Sequence, residues 1–572
     1  MEHEPPVPEA SAPLNSWRSR LDYALLGMVA TGSALAISEL VAGLFLSAPS
    51  LVRTIGQRII DITPAPVEDW AISTFGTNDK LVLIIGIVLV SLAIGAFLGL
   101  LARDRPAPAA AGFVLFGVVG FVVGLTDPLA GSTLTLVAAV AAAASGVGVL
   151  LGLRSLLRRS PSPAGAGTPG SRRMFLTASA AGVAVAVGEV ILGRYFANRN
   201  QTAVAGREQV TLPSASQPAP ATTTMTTEPT ESVADTAGVT ASEAADQVET
   251  TTTAVSTEAS SEPAVEGVAD PTPAQVAPIE GVSELVTPND EFYRIDTALS
   301  VPRVDIETWT LSFTGLVDTP FSITYDELLA MPMVERYVTL CCVSNRVGGG
   351  LIGNAKWLGV PLRELVERAG VRPEGTQLIG RSVDEFTVGF PTAAVFDGRE
   401  ALVAVGMNGE PLPLDHGFPA RLVVSGLYGY VSATKWLAEV EFAGWDDFDA
   451  YWIPRGWAKE APIKTQSRID TPQPGSITAG TNVIAGVAWA QNRGVEKVEV
   501  RVGDGPWVEA VLPEELSIDT WRQWYVEHDF APGAHQISVR ATDATGVTQT
   551  AEIQEARPDG ATGYHTIRVN AA

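Results

Sequence analysis

Five long apolar runs occupy the first two hundred residues of the chain, and short polar segments separate them. The runs cover residues 23–46, 81–102, 109–125, 134–153 and 175–192. A helix that crosses a bilayer needs about 20 apolar residues, and so many runs in series are unusual for buried helices of a soluble protein. We therefore predict a transmembrane region of about five helices over residues 21–196, after a proline-rich, disordered segment over residues 1–20.

Arginine residues orient this predicted bundle. They precede the first run, or lie between the second and third runs, or between the fourth and fifth: Arg18, Arg20, Arg103, Arg105, Arg154, Arg158, Arg159, Arg172 and Arg173. The loop near Asp127 has no basic residue. The positive-inside rule then predicts a multi-pass protein of the cell membrane, with a cytoplasmic N-terminus and an extracytoplasmic chain after residue 195. The 47–80 loop disagrees, since it holds Arg53, Arg58 and Lys80, and we expect an amphipathic surface helix there.

Residues 171–176 read Ser-Arg-Arg-Met-Phe-Leu, just before the fifth run. This pattern resembles a twin-arginine export signal, which delivers folded proteins across the membrane. The alternative is a pair of ordinary positive-inside arginines. No A-x-A-like cleavage site follows Leu192, so we expect the fifth helix to remain as an anchor.

The segment over residues 197–280 has a different composition. It is acidic and rich in Thr, Ser, Ala and Pro, and it lacks aromatic residues. Such a segment cannot bury enough apolar area to fold alone. We predict a disordered linker that holds the rest of the chain away from the bilayer.

Beyond residue 280 the hydrophobic pattern changes to short alternating runs that are typical of strands, with few helices. Residues 361–369 predict a helix that begins at Pro361 and is capped by Gly370. We predict an α+β domain over residues 281–465.

Residues 498–502 and 537–541 alternate strictly, and the turns between such strands predict an all-β sandwich over residues 466–572.

Composition narrows the function. The 572 residues carry 38 basic and 63 acidic side chains, a net charge of −25, with most of the acidity after residue 207. No basic face for nucleic acid is expected. Two cysteines give no disulfide framework.

Those two cysteines are adjacent. Cys341 and Cys342 end an apolar strand and lead through Asn345 into the glycine run 348–350, where backbone can approach a ligand closely. Adjacent cysteines form a disulfide only with strain, because the usual Cα separation exceeds one peptide step. The two thiols are therefore either small buried apolar groups or include a soft metal ligand.

A second cluster suggests an anion site. Residues 415–421 read Asp-His-Gly-Phe-Pro-Ala-Arg, and residues 432–436 read Ser-Ala-Thr-Lys-Trp. Arginine, lysine and hydroxyl groups of this kind suit a phosphate.

Together these stretches resemble the sulfite oxidase family of molybdopterin enzymes. The resemblance rests on the Cys-x-x-Asn of residues 342–345, the Trp-x-Gly-x-x-Leu of residues 357–362, the His416 motif and the Thr-Pro-Asn at residue 287. It implies a sulfite-oxidase-like domain over residues 281–465 and an immunoglobulin-like dimerisation domain over residues 466–572. It also implies a molybdenum–molybdopterin cofactor whose metal is bound by Cys342.

The resemblance assigns roles residue by residue. It implies that catalysis involves Cys342, Arg294, Arg346 and Trp457. It implies that cofactor contacts come from Tyr293, Arg294, Asn345, Ser382, His416, Arg421, Ser432, Thr434 and Lys435. Arg294 would point toward the metal; its alternative is an ion pair with Asp296 or Asp290.

Two positions depart from the family pattern. Val347 stands where sulfite oxidases have a second arginine, and Trp457 stands where a catalytic tyrosine is expected. We expect oxygen-atom transfer of the sulfite oxidase type on an oxyanion, with reduction of an S- or N-oxide as the alternative. A non-enzymatic, tethered binding module at the cell surface is the competing class.

The sequence and the resemblance also indicate which redox partners and subunits to expect. His3 is the only histidine before residue 416, so the helices offer no pair of haem ligands and we expect no haem. We expect a separate electron carrier, a cytochrome or one linked to quinone. We also expect a homodimer through the C-terminal domain.

Overall fold

The computed structural model describes residues 14–45, 47–75, 78–158, 169–204, 206–214 and 265–572. Seven helices form its N-terminal part: α1 (Leu14–Leu44), α2 (Leu51–Ile62), α3 (Ala65–Phe75), α4 (Asp79–Asp104), α5 (Pro106–Gly124), α6 (Ser132–Arg158) and α7 (Pro169–Val204). Five segments are long and apolar enough to cross a membrane: Ser19–Leu44, Asp79–Asp104, Pro106–Gly124, Ser132–Arg158 and Arg173–Arg199. They correspond to the five predicted runs, and each extends beyond its run at one end or both.

Helix α1 lies at the centre of this bundle, against α4, α6 and α7. Glycines bring its backbone close to its neighbours. A Cβ at Gly27 would collide with the backbone of Gly95 on α4, and one at Gly43 would collide with Gly193 on α7. Small residues at helix contacts are typical of packing inside a membrane, where close backbone approach replaces the hydrophobic effect.

The two ends of the bundle differ in their charged groups. At one end Arg154 Nε donates to Ala102 O at 2.7 Å, and Arg158 donates to Arg103 O at 3.1 Å. At the other end α2 lies across the bundle with Leu51 and Val52 buried, as expected for an amphipathic helix in the 47–80 loop. That second end contacts the rest of the protein.

The contacts at this end explain the discordant basic residues of the 47–80 loop. Lys80 Nζ binds Asp296 Oδ1 at 3.1 Å, and Gln57 Oε1 accepts from Leu299 N at 3.3 Å. Lys80 therefore neutralises a carboxylate of the following domain. Of the three basic residues of this loop, Lys80 thus has a role in the contact between the bundle and the following domain.

The central domain, residues 281–465, contains two sheets and three short helices. Its strands are β2 (Thr310–Gly315), β3 (Phe321–Thr324), β4 (Met333–Cys341), β5 (Ile352–Pro361), β6 (Gln377–Ser382), β7 (Thr387–Pro391), β8 (Ala401–Met407), β9 (Glu410–Pro411), β10 (Arg421–Val424) and β11 (Leu437–Ala443). Its helices are α8 (Tyr325–Leu329), α9 (Leu362–Ala369) and α10 (Gly429–Ser432).

One sheet has the order β1-β4-β5-β8-β10, with β9 paired to β8, and β1 (Val265–Glu266) at its edge. The other has the order β3-β2-β11-β6-β7. Their apolar faces share one core, in which Trp357 and Phe390 are fully buried. Helix α9 confirms the helix predicted over 361–369, and Gly370 ends it in the left-handed conformation, φ 66°.

The C-terminal domain is a β-sandwich. A three-stranded sheet is formed by β12 (Gln466–Thr471), β14 (Gly480–Trp489) and β17 (Arg522–Phe530). A five-stranded sheet is formed by β13 (Gly475–Ile477), β19 (His565–Ala571), β18 (Gly533–Asp543), β15 (Val495–Val502) and β16 (Val508–Glu509). Ile484 and Trp524 of the first sheet pack against Val498 and Ile537 of the second.

The glycine run 348–350 has a different role from the one expected. A Cβ on Gly348 would collide with His565 of the C-terminal domain, and Arg468 of that domain donates to Gly349 O at 2.9 Å. The close approach is therefore to a neighbouring domain rather than to a ligand.

Both segments that composition predicted to be disordered contain ordered residues. Helix α1 already begins at Leu14, inside the segment 1–20. Residues 265–280, assigned to the linker, lie against the folded domains: β1 pairs with β4, and Ala277 N donates to Gln523 Oε1 at 2.7 Å. Backbone hydrogen bonds to an existing sheet edge order a segment that has too few apolar residues to fold alone. The middle of the linker, residues 215–264, lies outside the described residues.

Candidate active site

The two adjacent thiols, one at the end of strand β4 and one just after it, lie in different surroundings. Cys341, the last residue of β4, is packed in the shared core and is 2% exposed. Cys342 lines a cavity in the central domain. Successive side chains of a strand point to opposite faces, so only one of the pair can enter the cavity. The structure thus separates the two readings of the pair: Cys341 is a small buried group, and Cys342 is available to a ligand.

The turn after β4 fixes the position of Cys342. Its N–H donates to Leu351 O at 2.9 Å, and its carbonyl accepts from Asn345 N at 3.0 Å. Asn345 Oδ1 accepts from Leu351 N at 2.9 Å and closes the loop. Burial raises the pKa of the Cys342 thiol, while hydrogen bonds from Ser344 oppose that shift. An uncoordinated Cys342 is therefore a neutral thiol at neutral pH.

A cationic group lies elsewhere in the same cavity. Arg421, Lys435 and His416 all line it and are between 5% and 9% exposed. Arg421, at the start of β10, donates from NH1 to His416 O at 3.1 Å and stacks over the Trp357 ring at 5.0 Å. Burial lowers its pKa to about 10. None of the ion pairs among the described residues joins Arg421 to a carboxylate, so this buried guanidinium has only carbonyl acceptors and a ring.

His416 is held as a neutral imidazole. Its Nε2 lies 2.9 Å from Asn289 O, and a carbonyl can only accept, so Nε2 carries the proton. Burial, and then the charge of Arg421, lower the pKa of His416 to about 4. Nδ1 is then the acceptor nitrogen, and the ring packs edge-on against Phe292 at 5.6 Å.

Asp296 joins the cavity to the membrane helices. Its carboxylate, 5% exposed, binds Lys435 at 2.9 Å, Arg294 at 2.8 Å and Lys80 of α4 at 3.1 Å. Burial alone would raise the pKa of Asp296, but Lys435, Lys80 and Arg294 hold it below its usual value. Burial lowers the pKa of Lys435 to about 8, against the attraction of Asp296. Three cations share one carboxylate here, so the cluster keeps a net positive charge.

Arg294 therefore has the alternative role considered from the sequence. It pairs with Asp296 and also with Asp415, at 3.0 Å, and its guanidinium is not among the groups that line the cavity. The expectation that it points toward the metal is not met by this arrangement. Arg294 is two residues from Asp296 and therefore has an ionic partner nearby. The sequence does not specify whether Arg294 pairs with that aspartate or points toward the metal.

Several expected site residues lie outside the lining of the cavity. Arg346 is exposed on the loop after Cys342. Ser432 Oγ donates to Tyr428 O at 3.1 Å inside α10. Thr434 is fully buried with its hydroxyl unpaired, at the position where a Cβ on Gly380 would meet it. Asn345 is likewise outside the lining, whereas Tyr293, Ser382 and Trp457 line the cavity.

Aromatic side chains form the remaining wall. Tyr430 of α10 lies 5.8 Å from the Trp457 ring, and Trp452 lies 6.4 Å from it. The Tyr293 phenol is also in the lining, and burial together with the two thiols raises its pKa. Tyr430 was not predicted. The sequence indicated it only through its position between the stretches 415–421 and 432–436. Tyr430 supplies a phenol beside Trp457, which stands where a tyrosine was expected.

The donor set fits a molybdenum–pterin group. One thiol faces a cavity whose other wall holds a buried guanidinium without an acidic partner, which is a site for a phosphate or other anion. Among the described residues no group of three or more His, Cys, Asp or Glu side chains could hold a metal ion. A metal next to Cys342 would accordingly take its other ligands from a bound group, as a pterin dithiolene provides.

Comparison with known proteins agrees with this geometry. Residues 298–452 match the oxidoreductase molybdopterin binding domain. The mitochondrial sulfite oxidase of Rattus norvegicus is 31% identical over 290 residues, which cover 42% of this chain and 53% of the relative. The sulfite oxidase of Arabidopsis thaliana is 27% identical, over 48% of this chain and 80% of the relative. A nitrate reductase of Hordeum vulgare is 34% identical over 25% of this chain and 19% of the relative.

The matched domain lies within the central part of the protein. The chain spans about half the length of the animal sulfite oxidases that it matches. The matched domain and these relatives support the predicted molybdenum–molybdopterin cofactor and the predicted oxidoreductase class. Residues 298–452 are thus a molybdopterin-binding oxidoreductase domain similar to that of the sulfite oxidases, and the thiol of Cys342 and the buried anion site fit such a cofactor.

Proposed function

We propose that the protein is a membrane-anchored, extracytoplasmic molybdenum oxidoreductase that catalyses oxygen-atom transfer, in the manner of a sulfite oxidase. The observation that carries the proposal is the pair of neighbouring thiols. Cys342 lines the cavity together with Arg421 and Lys435, whereas Cys341 is packed in the core. When bound, the molybdenum–pterin group supplies the two-electron chemistry.

The side chains of the cavity divide the remaining work. Arg421 and Lys435 provide charge for the phosphate of the pterin, and neutral His416 offers one further acceptor nitrogen. Cys342 loses its proton on binding the metal, because the thiolate is the form that ligates. Tyr293, Tyr430, Trp452 and Trp457 surround the thiol side and exclude water from it.

The wall around Cys342 bears on the substrate. Of the residues that line the cavity, Arg421 and Lys435 are the basic ones apart from His416, and the expected Arg294 and Arg346 are not in the lining. Fewer charge-assisted contacts weaken the hold on a dianion such as sulfite. This aromatic wall is the observation that keeps reduction of an S- or N-oxide as the second candidate.

The test compares the two cysteines. In cofactor-loaded protein we expect Cys342→Ser to lose turnover to background, because the hydroxyl is a much weaker ligand for the metal. Cys341→Ser is the matched control, with the same atomic change one residue away, and should keep its turnover and bound molybdenum. Full activity of Cys342→Ser would refute the proposal.

The direction of the reaction is tested with the same protein. Sulfite with an oxidised dye and methionine sulfoxide with a reduced dye are assayed in parallel. Sulfite turnover with kcat/KM above about 10⁴ M⁻¹s⁻¹, at the low end for natural substrates, supports oxidation. Turnover of the sulfoxide alone supports the second candidate.

Membrane topology belongs to the proposal as well. The arginine-rich end of the bundle would face the cytoplasm, and the central domain would lie outside, delivered folded by the twin-arginine motif in the first turns of α7. The C-terminal sandwich would be the immunoglobulin-like dimerisation domain. Electrons would leave for a separate carrier.

Topology has its own test. A reporter that is active only outside the cytoplasm, fused after Ala572, should be active. Replacing Arg172 and Arg173 together by lysine should keep cofactor-loaded protein inside, because twin-arginine export reads the guanidinium pair. Unchanged export would leave only the ordinary positive-inside role for these arginines.

A further inference from the structure

A second cavity, of about 380 Å³, lies between the bundle and the central domain. We call it the interfacial cavity. Its lower wall consists of the ends of α1 and α7, helix α2, and the loop between α5 and α6. Its upper wall consists of residues 297–303, 384–386 and Tyr451 of the central domain. A volume in this range is typical of sites for small organic molecules.

The interfacial cavity adjoins the cofactor cavity. Thr297, Asp384 and Phe386 line both spaces, so a single layer of side chains separates them. Electron transfer through protein declines steeply with distance, and a redox partner seated in the interfacial cavity would be next to the cofactor. Because the lower wall belongs to membrane-spanning helices, such a partner could arrive from the bilayer.

Hydrogen-bond donors project into this space from both walls. Arg303 of the central domain donates from NH1 to Ala42 O of α1 at 3.1 Å. Arg53 of α2 lies close enough that its charge, after burial, lowers the pKa of Arg303. Two neighbouring arginines in a half-buried cavity are costly unless they find acceptors. The charge of Glu39 favours the charged form of Arg303, while the Glu39 carboxylate itself accepts from Ser50 Oγ. Apolar groups such as Leu129 line the space beside the arginines.

The shared wall contains a group suited to proton transfer. Asp384 is largely buried, and burial raises the pKa of its carboxyl group. The next residue, Glu385, lines the interfacial cavity with φ 67°, a conformation that is uncommon for residues other than glycine. Glu385 belongs to the turn between the paired strands β6 and β7, where its N–H donates to Ser382 O at 3.0 Å. This turn lies at the point where the two cavities meet.

We propose that the interfacial cavity binds a lipid-soluble quinone, which accepts the electrons from the cofactor site. The inference rests on the proposed function in its oxidising direction. The substrate gains one oxygen atom from water and releases two electrons and two protons. The quinone takes up two electrons and two protons, and its two carbonyl groups become the hydroxyl groups of a quinol.

The lining favours a quinone over an anion. A quinone is neutral and presents two carbonyl acceptors, which match the donors of Arg53 and Arg303. The lining carries both signs of charge, with four arginines (Arg53, Arg58, Arg194 and Arg303) and five carboxylates (Glu39, Asp61, Asp127, Asp384 and Glu385), and this balance suits a neutral ligand better than a lipid phosphate or an oxyanion substrate. Asp384 offers the quinone a proton path from the cofactor cavity, which an anion does not need.

Binding is tested on the full chain in nanodiscs without cofactor, with decylubiquinone as the probe. Arg303→Gln removes one donor, and Ala197→Trp fills the cavity from α7. Loss of one charge-assisted hydrogen bond should weaken binding about tenfold or more. Two matched controls should bind as the wild type does: Arg372→Gln, in an exposed ion pair with Asp318, and Ala184→Trp, on an exposed face of α7.

Turnover then separates this inference from the proposed function. With sulfite as the electron donor, cofactor-loaded wild type should reduce both ferricyanide and decylubiquinone. The variants Arg303→Gln and Ala197→Trp should keep ferricyanide reduction and lose quinone reduction. A wild type that reduces neither acceptor contradicts the proposed function. Reduction of ferricyanide alone, or displacement of the probe by short-chain phosphatidylglycerol at equal concentration, overturns the quinone site.

Discussion

At the scale of single residues, burial decides which chemistry each side chain can perform. His416 and Lys435 lie in the same cavity, and desolvation lowers the pKa of both, to about 4 and about 8. Lys435 keeps its charge at neutral pH because Asp296 opposes the shift, whereas His416 has Arg421 beside it and stays neutral. One carries positive charge and the other an acceptor nitrogen, although both are basic residues in the sequence.

The neutral state of His416 predicts a pH dependence of stability. Its pKa is lower in the folded chain than the usual 6.5, so the unfolded chain takes up the proton first as pH falls. The free energy of unfolding should therefore decrease between pH 6.5 and 4, by up to about 3 kcal/mol from this group.

Urea unfolding of the cofactor-free chain in detergent, followed by tryptophan fluorescence, measures this effect. His416→Gln keeps a donor for Asn289 O but does not titrate, so its stability should vary less over that range. Above pH 7.5 the difference between the two proteins should be independent of pH. Equal slopes for both proteins below pH 6.5 would show that His416 is not buried neutral.

At the scale of elements, the loop between β4 and β5 connects Cys342, the proposed metal ligand, to a domain boundary. It begins at Cys342, is closed by Asn345, and ends with glycines against the C-terminal sandwich. Gly348 has φ 77° and no room for a Cβ next to His565. The position of Cys342 thus depends on contacts made by the next domain.

Gly348→Ala should destabilise the protein by about 1–3 kcal/mol, since alanine is strained at this φ and must displace His565. Gly350→Ala is the matched control, because nothing lies within 4 Å of its Cβ and its φ is not positive. Its effect should stay within about 0.5 kcal/mol.

Thermal unfolding of the two glycine variants and the wild type checks this expectation. We also expect Gly348→Ala to retain less molybdenum, because the loop that holds Cys342 moves with it. Equal melting temperatures for the two variants would mean that the contact between Gly348 and His565 does not constrain this loop.

At the scale of the whole molecule, the membrane bundle and the central domain are joined through charged groups close to the cofactor cavity. Lys80, at the start of α4, donates to Asp296 O at 2.8 Å and to Ala298 O at 2.7 Å, besides pairing with the Asp296 carboxylate. The bundle is thereby attached to the same residue that holds Lys435.

Lys80→Met should release the segment 294–300 without breaking the other ion pairs of Asp296. Loss of a charge-assisted contact of about 1.5–3 kcal/mol predicts amide exchange about tenfold faster or more in that segment. Lys497→Met is the control, since it removes an exposed pair with Glu499 in the C-terminal domain. Hydrogen exchange with mass spectrometry measures both, and unchanged protection of residues 294–300 would contradict a rigid attachment.

The sequence by itself determined the order of the parts. Five apolar helices, a mixed central domain and a β-sandwich follow from the lengths and periods of apolar runs, which are local properties of the chain. The choice of Cys342 as metal ligand, and of His416, Arg421 and Lys435 as cofactor contacts, came instead from the resemblance of short motifs to the sulfite oxidase family. Spacing alone left both readings of the two cysteines open.

Contacts between distant segments were decided only by the tertiary structure. Arg294 pairs with Asp296 and Asp415 and does not line the cavity. Tyr430 lies beside Trp457. The glycine run packs against a domain some two hundred residues further along the chain. Residues 265–280 became ordered because a sheet edge was available to them. Each of these outcomes depends on partners far away in the chain, whose distance and burial no local pattern specifies.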